Sequence, residues 1–104
     1  MMLKDNEGAW ASFSRTIELI PNHDQAYNDR AIAGYNMNRF EDAIKDYNKS
    51  IELNPKNARA FYNRGVTYFR LNDMVNSCAD WRKASDLGIK QAEDLFVKHC
   101  NKSN

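Results

Sequence analysis

The sequence predicts an all-α chain, an α-solenoid of antiparallel helical hairpins ended by one capping helix. Three observations carry that prediction. Helix breakers are scarce, with 4 Gly and 2 Pro in 104 residues, which disfavours an all-β fold full of turns. The chain matches itself without a gap at one fixed offset, the one that lays Pro21 on Pro55. Within each copy a small residue precedes an aromatic ring by four positions, a spacing that puts both on one face of a helix.

The repeat runs through most of the chain. Ala9 falls on Ala43 and then on Ser77; Phe13 falls on Tyr47 and then on Trp81. Thr16-Ile17-Glu18-Leu19 meets Ser50-Ile51-Glu52-Leu53, and Ala26-Tyr27 meets Ala60-Phe61. Arg30 meets Arg64, Asn38 meets Asn72, and Asp46 meets Asp80. The small residue lets two helix backbones approach, and the ring fills the space beside it. A proline eight residues after each of the first two rings stops the helix.

These residues resemble the tetratricopeptide repeat family, whose pattern is W-x2-L-G-x2-Y, then A-x3-F, then P, with a period of about 34 residues. One copy reads Tyr27-x2-Arg30-Ala31-x2-Gly34, Ala43-x3-Tyr47 and Pro55; the next reads Phe61-x2-Arg64-Gly65-x2-Tyr68 and Ser77-x3-Trp81. An earlier copy shows only its second half, Ala9-x3-Phe13 and Pro21. Two positions depart from the pattern. Gly34 stands where the family has a ring, which predicts a locally loose hairpin. Ile89 stands in place of a third proline, so the turn there is assigned to Gly88. The run Cys78-Ala79-Asp80-Trp81-Arg82-Lys83-Ala84 with Asp86-Leu87-Gly88 resembles the last repeat of bacterial members, so the chain reads as the C-terminal part of an array.

The elements follow in order. Helices are expected over 7–20, 24–37, 41–53, 58–71, 74–86 and 90–101. They group as a half repeat (1–22), two repeats (24–57 and 58–89) and a capping helix (90–101). Asp24 and Asn57 are the expected N-caps after the prolines. The turns Asn38-Arg39 and Asn72-Asp73 are too short for anything but antiparallel neighbours. The last segment carries Ala92, Leu95 and Phe96 as a single apolar stripe, the one-sided pattern an array needs at its end. The tail 101–104 is expected to fray.

Composition narrows function. Net charge is +1, from 15 basic and 14 acidic residues, so there is no global field to gather nucleic acid. No apolar run approaches the roughly 20 residues of a membrane span, and the first residues have no secretion-signal core. Neither a nucleic-acid nor a membrane partner is expected, and no motif names a compartment. No phosphate-binding glycine loop, metalloprotease motif or nucleophile elbow occurs, so no enzyme is expected. His23 and His99 read as solvated side chains. His99, Cys78 and Cys100 make only three soft ligands without paired-cysteine spacing, so no metal and no cofactor is expected.

The resemblance implies that the first helix of each hairpin lines a concave face that cups a peptide or helix of a partner protein. By register that face comprises Gln25, Asn28, Asp29, Ile32 and Asn36, then Arg59, Tyr62, Asn63, Val66 and Arg70. Arg59 and Arg70 are separated by roughly three helical turns, so both point the same way. Members that clamp the carboxylate of chaperone tails use Lys and Asn from three first helices; here only Asn63 matches, so that ligand is not expected. The alternative role is a structural spacer or self-association segment of a longer repeat protein. Two further expectations come from the residues themselves. Cys78 and Cys100 flank the turn at Gly88 at similar distance, which fits a disulfide as well as two buried thiols. Met1, Met2 and Leu3 are in register with the end of a first helix whose start is missing. That would leave Trp10, Phe13 and Ile17 as an apolar stripe for a homodimer or for upstream residues.

Overall fold

Helix formation follows the repeat closely. The structure, a computed structural model, describes residues 5–100. Among them are six helices and no strand: α1 (Asn6–Leu19), α2 (Asp24–Asn36), α3 (Phe40–Leu53), α4 (Ala58–Arg70), α5 (Met74–Asp86) and α6 (Lys90–His99). This is the all-α hairpin fold the periodicity predicts, with element ends displaced by at most two residues. The expectations for Met1–Leu3 and for 101–104 lie outside the described residues. The chain divides into two compact units, Met1–Pro55 with α1–α3 and Lys56–Asn104 with α4–α6. In each, helices adjacent in sequence pack on one another.

Two kinds of turn join the helices. Within hairpins the helix ends on a left-handed residue, Asn38 and Asn72 at φ 63°, and Gly88 at φ 108° ends α5 before α6. The bond pattern is the same at all three. Arg39 N–H donates to Gly34 O, Asp73 N–H to Tyr68 O and Ile89 N–H to Ala84 O, at 2.8, 2.9 and 3.0 Å. Each also has a companion bond of smaller sequence separation, donated by the N–H of Asn38, Asn72 and Gly88 to the carbonyls of Tyr35, Phe69 and Ser85. This two-bond cap closes the last carbonyls of a helix and reverses the chain. Asparagine tolerates left-handed backbone better than other side chains, and glycine does so without cost.

The turns at Pro21 and Pro55 work differently: each is followed by a capping side chain. Asn57 Oδ1 accepts from Ala60 N–H at 3.2 Å, as expected. For α2 the cap is His23, not Asp24; its Nδ1 accepts from Ala26 N–H at 3.1 Å, so the ring carries its proton elsewhere. Asp24 sits one residue inside, where a carboxylate suits the helix N-terminus, and accepts from Asn54 Nδ2 at 3.2 Å. In the repeat register His23 falls on Asn57, so the register itself points to the capping position.

Small residues let the hairpins close. In the second unit a Cβ on Gly65 would lie 2.7 Å from the indole of Trp81, which is 1% exposed. Ser77 Oγ donates to Gly65 O at 2.9 Å across the same contact. In the first unit Ala31 and Tyr47 occupy the matching positions, both buried. A smaller ring is thus matched with a slightly larger neighbour.

Beside each of these contacts lies a forked ion pair. Arg30 Nε and Nη2 donate to the two carboxylate oxygens of Asp46 at 2.8 and 2.7 Å. Arg64 repeats this with Asp80 at the same two distances. The guanidinium also lies against rings: Arg64 faces Phe61 at 5.5 Å and Tyr68 at 5.8 Å, and Arg30 faces Tyr27 at 5.8 Å. Gly34 removes the ring that Tyr68 supplies in the second unit. Trp10 of α1 replaces it, 5.0 Å from the Arg30 guanidinium, while Ser14 Oγ accepts from Arg30 Nη1 at 3.1 Å. The expected loose hairpin is therefore filled from α1, and Trp10 is half-buried rather than left in water.

Hydrogen bonding to Asp46 holds the Arg30 guanidinium above its ordinary pKa. Burial works to lower Arg64, but its hydrogen bond and attraction to Asp80 prevail and raise it. The Asp80 carboxyl is pushed above its ordinary range by burial, against the opposing pull of Arg64. On the carboxylate side, then, burial costs more than pairing returns.

A Cβ on Gly34 meets only Arg39 O at 3.6 Å and Ala43 at 3.9 Å, so Gly34→Ala should raise unfolding free energy by about 0.5–1 kcal/mol in urea titrations. Gly65→Ala collides with Trp81 and should lower it by roughly 1–3 kcal/mol. For the fork, Asp80→Leu or Arg64→Met alone leaves a buried charge and should cost roughly 3–5 kcal/mol, whereas the double variant should return close to the parent. Additive losses in the double variant would mean that the pair contributes net stability of its own.

Candidate partner-binding faces

The residues expected to meet a partner lie on α2 and α4, and packing sorts them into two groups. On α2, Gln25 and Asn36 are exposed, and Asp29 and Ile32 are half-buried. Gln25 Nε2 donates to Asp29 Oδ1 at 2.9 Å, one turn away, and Asn36 Nδ2 donates to Asn6 Oδ1 of α1 at 3.2 Å. Asn28 departs from expectation: it is 1% exposed and presents no surface to a partner.

On α4, Arg59 and Arg70 are exposed, and Asn63 is half-buried. Arg70 stands in the last helical turn, where a cation complements the carbonyl end of the helix. Tyr62 and Val66 are half-buried as well. They pack against the core of Trp81, Ala84 and Ala92 together with Ile89, Leu95 and Phe96, so the α4 face closes partly on α6. Tyr62 has the same register as Asn28. A helix lodged among neighbours uses this position for packing, and polarity alone does not separate such a position from a wetted one. The accessible surface is mainly polar and charged: Gln25, Asp29 and Asn36 on α2, and Arg59, Asn63 and Arg70 on α4, with half-buried Ile32, Tyr62 and Val66 beside them.

Sequence reasoning missed a hollow of about 160 Å³ between α1 and α2. Ala9, Phe13, Ile32 and Ala33 give it an apolar lining, and Asn6, Asp29 and Asn36 give it polar groups. It joins Phe13, placed by the sequence in an apolar stripe, to three residues placed in a binding face. Of that stripe, Trp10 is engaged by Arg30, and Phe13 and Ile17 are half-buried.

In the second unit Cys78 and Cys100 are joined as a disulfide, S–S 2.04 Å and Cα–Cα 5.8 Å, which ties α5 to the residue that ends α6. His99 is not a solvated side chain: its ring lies 4.8 Å from Phe69 and 5.8 Å from Trp81. His23 likewise serves as a cap. Among the described residues no group of three or more His, Cys, Asp or Glu is placed to hold a metal ion. No described helix is long and apolar enough to cross a membrane.

Comparisons with known proteins agree with this geometry. Residues 33–72 match the TPR repeat family. No curated protein sequence matches the chain. Among solved structures, the first TPR domain of Spaghetti, bound to the Hsp90 peptide SRMEEVD, is similar at a TM-score of 0.87 and 20% identity, over 92% of this chain and 78% of that one. The TPR2B domain of yeast Sti1, solved as an Hsp70 complex, is similar at 0.87 and 20%, over 95% and 86%. MamA is similar at 0.87 and 18%; there the match covers 92% of this chain but only 57% of MamA. At these identities the likeness is one of fold.

The disulfide gives this subsection its test. Unreduced chain should resist alkylation of both cysteines in mass spectrometry. The paired change Cys78→Ser and Cys100→Ser should cost roughly 2–4 kcal/mol, with α6 amides losing hydrogen-exchange protection first. Equal stability with and without reductant would show that the α6 contacts hold by packing alone.

Proposed function

We propose that the chain, whose residues 33–72 match the TPR repeat family, is a non-enzymatic protein-interaction scaffold whose α2 face and α4 face each offer a surface to a peptide or helix of a partner protein. The observation that carries this reading is the α4 face. Arg59 and Arg70 remain exposed on it with half-buried Asn63 between them, while the hairpin's structural arginine, Arg64, is turned inward to Asp80. Cations and an amide spaced along one helix suit the carboxylates and backbone of an extended acidic segment. One of the similar folds was solved with an Hsp90 peptide and another as an Hsp70 complex, which supports the same kind of use. The chaperone tail itself is not the proposed ligand, because only Asn63 matches the carboxylate clamp.

Selection of a displayed random-peptide library on the purified chain tests the reading. Peptides enriched in Asp and Glu are expected. Arg59→Glu and Arg70→Glu should each weaken them by about 1–3 kcal/mol in fluorescence anisotropy, through lost charge-assisted bonds and added repulsion. Peptides that bind both variants as well as the parent would place recognition on another face.

A further inference from the structure

The hollow between α1 and α2 has a template within the same chain. Three small-x3-aromatic pairs recur in register, on α1, α3 and α5, and those on α3 and α5 are covered by α2 and α4. Ala43 and Tyr47 on α3 are 0% and 1% exposed; Ser77 and Trp81 on α5 are 0% and 1% exposed. Ala9 and Phe13 on α1 are the third pair, and they are only half-buried. Both line the hollow, with Ile32 and Ala33 of α2 opposite. The repeat therefore shows what shape completes this site: a helix with its own small residue facing Phe13.

Two details set the chemistry of that helix apart from α2 and α4. The roofing helices carry Arg30 and Arg64, forked to Asp46 and Asp80. At the matching position α1 has Ser12, exposed and without a carboxylate. The occupant therefore needs no arginine there. The charged group in the hollow is instead Asp29, on the α2 side; its Oδ1 accepts from Gln25. Asn6 and Asn36 flank it with neutral amides, so no cation among the lining residues balances it. We propose that this hollow docks an amphipathic helix of a partner protein that presents a small and apolar stripe to Phe13 and Ile32 and a lysine or arginine to Asp29. The inference rests on the scaffold reading above but uses a different surface from Arg59 and Arg70, so the two fail separately.

The chain supplies both probes. A capped, labelled peptide with the sequence of residues 58–70 is a roofing helix with three arginines and no acid; one with the sequence of 24–36 is a roofing helix with two aspartates and one arginine. Anisotropy against the full chain is expected to show binding of the basic peptide and at least tenfold weaker binding of the acidic one. Asp29→Lys should weaken the basic peptide at least tenfold and improve the acidic one. Phe13→Ala should weaken both, with circular dichroism confirming that the variants stay folded. Equal binding to the parent and Asp29→Lys, including exchange of the added peptide for α4 itself, would overturn the proposal, as would no binding at all. A parent dimer that Asp29→Lys dissolves in sedimentation would also overturn it, with a second copy as the occupant. Loss of acidic-peptide binding on Arg59→Glu alone leaves the hollow unaffected and bears only on the α4 face.

Discussion

Arg30 and Arg64, each half-buried and held by one buried aspartate of the facing helix, organise the α2–α3 and α4–α5 hairpins. The tetratricopeptide pattern has leucine where Arg30 and Arg64 stand, so an apolar contact is here replaced by a charged one. The replacement works because everything the guanidinium needs is local: a carboxylate meeting its fork on one edge, and rings beside it. The geometry fixes more than distance. Two parallel bonds set the rotation of one helix about the other, which a leucine contact specifies only loosely. The cost is desolvation, seen in the second unit where burial pushes the Asp80 carboxyl upward. In this account the fork serves register within a hairpin more than net stability.

The same constraint explains neighbouring features. A guanidinium beside a small residue needs a ring on its open side. The second unit takes it from Tyr68 of the same helix; the first, having Gly34 there, takes it from Trp10 of α1. That exchange binds α1 to the hairpin and removes Trp10 from any outward-facing stripe. The inward arginines are committed to structure, while Arg59 and Arg70 on α4 are exposed and Asp29, their opposite in sign, is half-buried on α2; these are the charges of the proposed faces. Interior and surface charge are thus handled by different register positions, and the faces can vary while the hairpin stays the same.

How much of this was legible in the sequence depends on the range of the interaction. Helix ends were readable because they are set by a few adjacent residues: Asn38, Asn72 and Gly88 accept left-handed backbone, and Pro21 and Pro55 end what precedes them. The cap of α2 was misplaced because an aspartate is the commoner choice, although position 23 is in register with Asn57. The forks were half visible. Arg30 and Arg64 align, as do Asp46 and Asp80, but alignment does not say that the two columns meet; that follows only once the hairpin brings positions 16 apart together. Asn28 is buried where its polarity reads as a wetted face, because burial is set by which helix lies alongside. The hollow beside Phe13 was invisible, since a cavity is a property of two helices and not of either one's pattern.

The claim on which these points converge is that Arg30 and Arg64 are locked by their forks while an exposed arginine such as Arg59 is not. Hydrogen exchange at the arginine Nε–H groups, followed by nuclear magnetic resonance, reads this directly. The account predicts slowly exchanging Nε protons at Arg30 and Arg64 and fast exchange at Arg59. Exchange at Arg30 and Arg64 as fast as at Arg59 would contradict it, and the hairpins would then be held by their small-residue and ring contacts without the forks.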